Sequence, residues 1–142
     1  VAGYQIPTHA NSFMEKISNS AFKLWYDTTT SVNEGNHIYN LHGSISGMRN
    51  SFARSLTFPS ALTCDQGYLY MKSISNDREG FKLAKNTRFI FRTASTIKDS
   101  RLQGTRSIFK DKEQMRKYFG KEVMAKEYAI PFRNKIIRLM KF

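Results

Sequence analysis

The chain has only one cysteine, Cys64, among its 142 residues. A single thiol can form neither an internal disulfide nor a multi-cysteine zinc site, so we expect folding not to depend on an oxidising compartment. The sequence also has no run of about 18 apolar residues and no charged start followed by a long apolar segment. We therefore expect neither a membrane-spanning segment nor a signal peptide.

The sequence also lacks the motifs that anchor several common enzyme classes. It has no glycine-rich phosphate loop, no Gly-x-Ser-x-Gly turn and no His-Glu-x-x-His helix. These motifs are typical of nucleotide-binding proteins, serine hydrolases and metalloproteases. Two of the three histidines, His37 and His42, lie five positions apart in HIYNLH, and a strand would place them on opposite faces. We therefore expect no metal site.

Acidic residues are scarce, with 11 Asp and Glu against 23 Lys and Arg, and the net charge is +12. Residues 1–92 carry 10 basic and 6 acidic side chains, net +4, whereas residues 93–142 carry 13 and 5, net +8. A field of this sign attracts phosphate-rich partners and displaces their counterions. RNA is the expected partner, and an acidic inhibitor protein is a further candidate. The cations assigned to this surface are Arg92, Arg101, Arg106, Arg116, Lys117, Arg133, Arg138 and Lys141.

The length of the chain predicts a single domain, residues 1–142. Residues 1–35 are expected to be an N-terminal helical lead-in, irregular up to residue 10 and then helical from a cap at Asn11 or Ser12. Residues 36–142 would form the catalytic core. The apolar positions at helical spacing in the lead-in are Phe13, Ile17, Ala21, Leu24 and Trp25.

The rest of the sequence alternates between strand-like and helix-like patterns. The segments predicted as strands are HIYNLH, YLYMKSI, TRFIFRT, KEYAIP and KIIRLMKF. The segments predicted as helices are MRNSFARSL, NDREGFKLAK and DKEQMRKYF, the last of which ends at Gly120. Residues 94–110 are polar without a clear period, which predicts a loop. The alternation indicates an α+β fold.

Three segments of this pattern resemble the ADP-ribosyltransferase family in order and approximate spacing. They are IYNLHGS, which precedes the helical MRNSFARSL, then GYLYMKSISNDREGF, and finally KEYAIP. The resemblance covers roughly residues 38–142 and is to the His-Tyr-Glu branch, which includes diphtheria toxin and the poly(ADP-ribose) polymerases.

The resemblance implies a compact split antiparallel β-sheet core with flanking short helices, and NAD as co-substrate. The His-Gly-Ser sequence at the end of the first strand would bind NAD. His42 would contact the adenosine ribose, the backbone of Gly43 would hold the nicotinamide amide, and Ser44 would complete this segment.

The other two segments would supply the remaining site residues. By resemblance, Tyr70 and Phe81 would sandwich the nicotinamide ring, with Tyr68 as an alternative to Tyr70; flat aromatic faces suit such a ring. Glu127 would be the catalytic carboxylate. A carboxylate that binds the ribose 2′-hydroxyl stabilises the oxocarbenium-like charge that develops when the glycosidic bond breaks.

The function implied is that of a mono-ADP-ribosyltransferase toxin domain that modifies RNA or an RNA-associated protein. It would act in the cytoplasm, delivered into a target cell as part of a larger secreted protein.

Three alternatives stay open at the level of sequence. The Arg-Ser-Glu branch of the same family would use Ser73 or Ser75. A metal-independent ribonuclease would use His37 or His42 with a basic residue. A non-catalytic RNA-binding protein would use its Phe and Tyr rings for packing or base stacking.

Overall fold

The computed structural model describes residues 1–42, 46–63, 65–77 and 79–141, except for the side chains of residues 76, 103 and 106–108. The elements in this part of the chain are β1 (Ala2–Pro7), α1 (Phe13–Thr30), α2 (Asn50–Ser55), α3 (Asp65–Asn76), β2 (Leu83–Phe91), α4 (Ile97–Gly104), α5 (Asp111–Phe119), α6 (Lys121–Glu127) and α7 (Phe132–Lys141). Short 3-10 turns cover Asn33–Gly35 and Ile38–Asn40, and a π-helical turn over Thr105–Lys110 joins α4 to α5.

The sheet of the described chain consists of β1 and β2, which pair in parallel with an irregularity between Gly3 and Tyr4. The fold is therefore α+β, but the predicted split antiparallel β-sheet core is wrong. The sheet also joins the N-terminal lead-in to the rest of the chain, because β1 belongs to residues 1–35 and β2 to residues 36–142.

Most predicted strands are helical. YLYMKSI lies in α3, KEYAIP begins in α6, and KIIRLMKF lies in α7 apart from Phe142, which is outside the described residues. A short apolar run fits a buried strand and a buried helix equally well, and the tertiary packing selects the helix. In α3, for example, Gly67, Tyr68 and Met71 are all buried, which is the spacing of a helical face.

The other local differences have similar causes. HIYNLH forms a 3-10 turn, in which the Asn40 side chain donates a hydrogen bond to the Gly35 carbonyl. The predicted helix NDREGFKLAK ends in β2, which begins at Leu83, and the predicted loop 94–110 contains α4 and the π-helical turn. The irregular lead-in contains β1, which was missed because its pairing partner lies about 80 positions away.

Four local predictions are confirmed, namely α1, α2, the strand TRFIFRT as far as Phe91, where β2 ends, and α5 from Asp111 to Phe119. Gly120 ends α5 as predicted. Its φ of 87° is a conformation that glycine adopts without strain, and its amide donates to the Arg116 carbonyl.

The start of α1 is tied to the end of β2. Ser12 is the N-cap, because its hydroxyl accepts a hydrogen bond from the Glu15 amide. The buried Glu15 carboxylate accepts hydrogen bonds from Arg92 at 2.6 Å and from the Asn11 amide at 2.7 Å. Both bonds hold the pKa of Glu15 below its usual value, and the bond from Arg92 makes the larger contribution.

The orientation of α1 differs from what its apolar stripe suggests. Phe22 and Tyr26 pack inward, where Phe22 meets Phe91 of β2 and the Tyr26 hydroxyl accepts a hydrogen bond from the Gln5 amide. The stripe at Phe13, Ile17, Ala21 and Trp25 is exposed. The aromatic contacts to the sheet therefore decide which face of α1 is buried.

The core lies between α3, α5 and the 3-10 turn at Ile38–Asn40. Met71 of α3 and Met115 of α5 are fully buried at its centre, with Tyr68, Phe81 and Tyr128 among the residues around them. α3 and α5 approach closely at Gly67, where a Cβ atom would collide with the Asp111 carboxylate. None of the described helices is long and apolar enough to span a membrane.

Candidate functional site

Two of the predicted catalytic residues lie in contact. Tyr70 of α3 donates a hydrogen bond from its hydroxyl to Glu127 Oε2 of α6, at 3.3 Å. Tyr70 is only 4% exposed, whereas Glu127 is half-buried. The carboxylate is therefore within reach of solvent, and the tyrosine ring is not.

The two rings predicted to sandwich nicotinamide do not form a clamp. Tyr70 and Phe81 meet edge to face, with ring centroids 5.3 Å apart and an interplanar angle of 62°. A sandwich requires two parallel faces with space for a third ring between them, and here the two buried rings fill that space with each other. Tyr68, the alternative, packs against Tyr118 and Phe119 in the core. These side chains do not fit a bound nicotinamide ring.

His42 lies beside α1. Its ring is 6.4 Å from that of Tyr26, measured between centroids. Burial lowers the pKa of His42 to about 4, although a hydrogen bond to the Tyr39 backbone opposes the shift. The ring is therefore neutral at pH 7, and it has no proton to give as a general acid.

Both ring nitrogens of His37 are used by the backbone. Nε2 lies 3.2 Å from the Ala129 carbonyl oxygen, which can only accept, so Nε2 carries the proton. Nδ1 then accepts a hydrogen bond from the Tyr39 amide at 3.4 Å. Burial lowers the pKa of His37 more than the Ala129 hydrogen bond and the nearby Glu127 charge raise it. His37 therefore holds two loops together, and the ribonuclease alternative gains no support from it.

The serines of the Arg-Ser-Glu alternative bond to their own helix. Ser73 Oγ donates to the Tyr70 carbonyl and Ser75 Oγ to the Met71 carbonyl, both at 2.7 Å. Ser73 also borders a cavity of about 740 Å³, together with Arg49, Phe81 and Lys82. Neither Tyr70 nor Glu127 is among the residues that line it.

A polar cluster that the sequence did not predict lies next to Glu127. The Tyr128 hydroxyl donates to the buried Asp111 carboxylate, and the Lys112 ammonium lies 5.6 Å from the centre of the Tyr128 ring. Tyr39 meets Tyr128 edge to face. No spacing signal links these residues, because they come from α5, the end of α6 and a 3-10 turn. The contacts connect α5 to the segment that carries Glu127, so the cluster positions that segment.

The predicted polyanion surface is largely exposed. Residues 93–141 contain 12 Lys and Arg residues whose side chains are described. Ten of these side chains are exposed, and those of Lys112 and Arg138 are half-buried. Within the described part of the chain, ion pairs join Arg92 to Glu15 and Lys82 to Glu79, and neither pair involves a cation of residues 93–141. The predicted cations that are exposed are Arg92, Arg101, Arg116, Lys117, Arg133 and Lys141.

Several positions named from the sequence lie outside the described part of the chain. Gly43, Ser44 and Cys64 lie outside the described residues, as does the side chain of Arg106. Across the described ranges, no group of three or more His, Cys, Asp and Glu side chains is arranged to hold a metal ion.

The structure thus brings Tyr70, Phe81 and Glu127 together and places His42 against α1. Comparison of the chain with protein-family models gives no match. Comparison with curated proteins and with solved structures gives none either.

Proposed function

We propose that this domain binds single-stranded RNA through the cations of α4, α5 and α6. The observation that carries the proposal is the exposed positive charge of the C-terminal part of the chain. Residues 93–142 have a net charge of +8, and the described ion pairs involve none of their cations. Such a surface gains affinity for phosphates by releasing condensed counterions.

An exposed aromatic ring among these cations favours a single strand over a duplex. Phe109 is 71% exposed and stands next to the exposed Lys110, just before α5. Unpaired bases stack on such rings, and each stacked base contributes about 1–3 kcal/mol. A duplex keeps its base faces inside the helix, where Phe109 cannot reach them.

Removing three of these cations is expected to weaken RNA binding and its salt dependence together. In Arg116→Gln/Lys117→Gln/Lys121→Gln, the slope of log K against log salt should fall in magnitude by about 2, since each phosphate contact on a single strand contributes about 0.7. Fluorescence anisotropy with a labelled single-stranded RNA, repeated over a range of salt, measures both quantities.

A second triple variant controls for net charge. Lys16→Gln/Lys23→Gln/Lys85→Gln removes the same charge from exposed positions on α1 and β2. It should keep most of the affinity and of the slope. Equal losses in the two variants would show that only the overall charge matters, and failure of the unaltered protein to bind RNA would refute the proposal.

NAD-dependent ADP-ribosyl transfer stays a prediction. The contact between Tyr70 and Glu127 favours it, and the edge-to-face packing of Tyr70 on Phe81 weighs against it. Transfer predicts that the protein labels RNA or a lysate component from labelled NAD. Glu127→Gln should abolish the label and Glu122→Gln, exposed on the same helix, should not. A reaction without NAD reports RNA cleavage separately, and no label from the unaltered protein would end the transferase prediction.

A further inference from the structure

Helix α7 packs on the protein through its polar side. It lies against α1, where Asn134 Nδ2 donates hydrogen bonds to the Ser31 hydroxyl at 2.9 Å and to the Ser31 carbonyl at 3.1 Å. Arg138 follows Asn134 by four positions, and it is the half-buried cation of this helix. At about 3.6 residues per turn, positions four apart lie on one face, so Asn134 and Arg138 mark the side that meets α1.

The apolar side of α7 therefore faces solvent. Four of its five apolar residues stand at i, i+4, i+7 and i+8, which is one helical face, about half a turn from the Asn134 side. The fifth, Ile137, lies between this face and the side that meets α1. Phe132 is 75%, Leu139 62% and Met140 82% exposed, and Ile136 is exposed as well. An amphipathic helix on a protein core normally shows the opposite orientation. The exposed apolar face thus has the form of a contact surface.

The charges on α7 indicate what covers this face. Arg133 and Lys135 flank the apolar face on its two sides, Arg138 and Lys141 complete the cations, and Phe132–Lys141 contains no acidic residue. A second copy of the chain in this place would bring like charges together, which costs binding energy. A planar anionic surface, in contrast, accepts apolar side chains in its interior and cations at its rim.

We propose that α7 lies in the surface of an anionic lipid bilayer, with Phe132, Leu139 and Met140 inserted between the headgroups. The helix lies parallel to the membrane plane and does not cross the bilayer. Its flanking cations then reach the lipid phosphates, while Asn134 keeps its bonds to α1. The apolar face lies on α7 and the RNA surface on α4 to α6, although the four cations of α7 are part of the net charge of residues 93–142. The vesicle and RNA measurements therefore test the two surfaces separately.

Vesicle binding tests this proposal with the unaltered chain as reference. The protein should sediment with vesicles of phosphatidylcholine mixed with phosphatidylglycerol, and not with phosphatidylcholine alone. Phe132→Asn/Leu139→Asn should weaken binding to the anionic vesicles at least about tenfold, because the two inserted side chains together contribute more than the 1.4 kcal/mol that corresponds to a tenfold change. Both side chains are exposed, so circular dichroism should show an unchanged fold.

The matched control is Phe13→Asn. Phe13 is 76% exposed and begins α1, about 27 Å along that helix from the end that contacts α7. This variant should bind the anionic vesicles as the unaltered protein does, and RNA affinity should be the same in all three proteins.

Three results would overturn the proposal. Unchanged vesicle binding in the double variant would mean that charge alone holds the protein on lipid. A dimer that light scattering detects in the unaltered protein and not in the double variant would mean that a second copy covers α7. The third result is that the unaltered protein does not bind anionic vesicles but captures an acidic protein, and that the double variant loses this capture. The face would then bind a groove on a protein partner.

Discussion

Replacing Met71 by alanine is expected to lower the free energy of unfolding by about 2–5 kcal/mol. Met71 is 0% exposed at the centre of the core, where α3 meets α5 and the 3-10 turn. Truncation to alanine removes apolar contacts and leaves a cavity that the surrounding residues fill only in part. Urea denaturation monitored by circular dichroism measures the loss.

The neighbouring residue and an exposed methionine provide the controls. Lys72→Ala and Met140→Ala should each change the unfolding free energy by no more than about 0.5 kcal/mol, since Lys72 is only half-buried and Met140 is 82% exposed. A strand over YLYMKSI would place Met71 on the face opposite Tyr68 and Tyr70. A small effect of Met71→Ala would therefore contradict the helix α3 and restore the strand.

Acidification is expected to destabilise the protein by about 3 kcal/mol through His42 alone. The folded-state pKa of His42 is about 4, below the value of 6.5 that an unburied histidine has. The unfolded chain therefore takes up a proton at a higher pH than the folded one. The stability that neutral His42 provides is complete above about pH 6.5 and is lost as the pH falls toward 4. Proton NMR of the imidazole ring measures this pKa directly.

A variant without the titrating ring isolates this contribution. Between about pH 7.5 and about pH 4.5, the unaltered protein should lose roughly 2–3 kcal/mol more unfolding free energy than His42→Gln. Comparing the two pH dependences removes the cost of the substitution itself, which is present at both pH values. Parallel pH dependences, or a His42 resonance that titrates near 6.5, would show that the ring is solvated in the folded state.

The helices that the sequence predicted correctly have local signals. Ser12 caps α1 and Gly120 ends α5, and in each case the signal and the structure it forms lie within a few residues of one another. The strand β1 has no such signal, because its partner β2 comes about 80 positions later. The apolar runs of α3 and α7 suit either type of element, and packing decided between them.

The candidate site was predicted in part. Tyr70 and Glu127 do meet, 57 positions apart in sequence. The sequence pattern predicted space for a ligand ring between Tyr70 and Phe81, but the two rings pack against each other. Asp111 and Lys112 escaped notice because their role depends on contacts with Tyr128 and Tyr39, which only the folded chain brings together.

The sequence by itself determined the charge, its concentration in residues 93–142, and the positions of α1 and α5. These follow from composition and from interactions within a few residues. Only the tertiary structure decided that α1 and α7 turn apolar faces outward, that His42 is half-buried and neutral, and that Tyr70 contacts both Phe81 and Glu127. Each of these depends on which distant segment packs against a residue, and burial and pKa are properties of that packing.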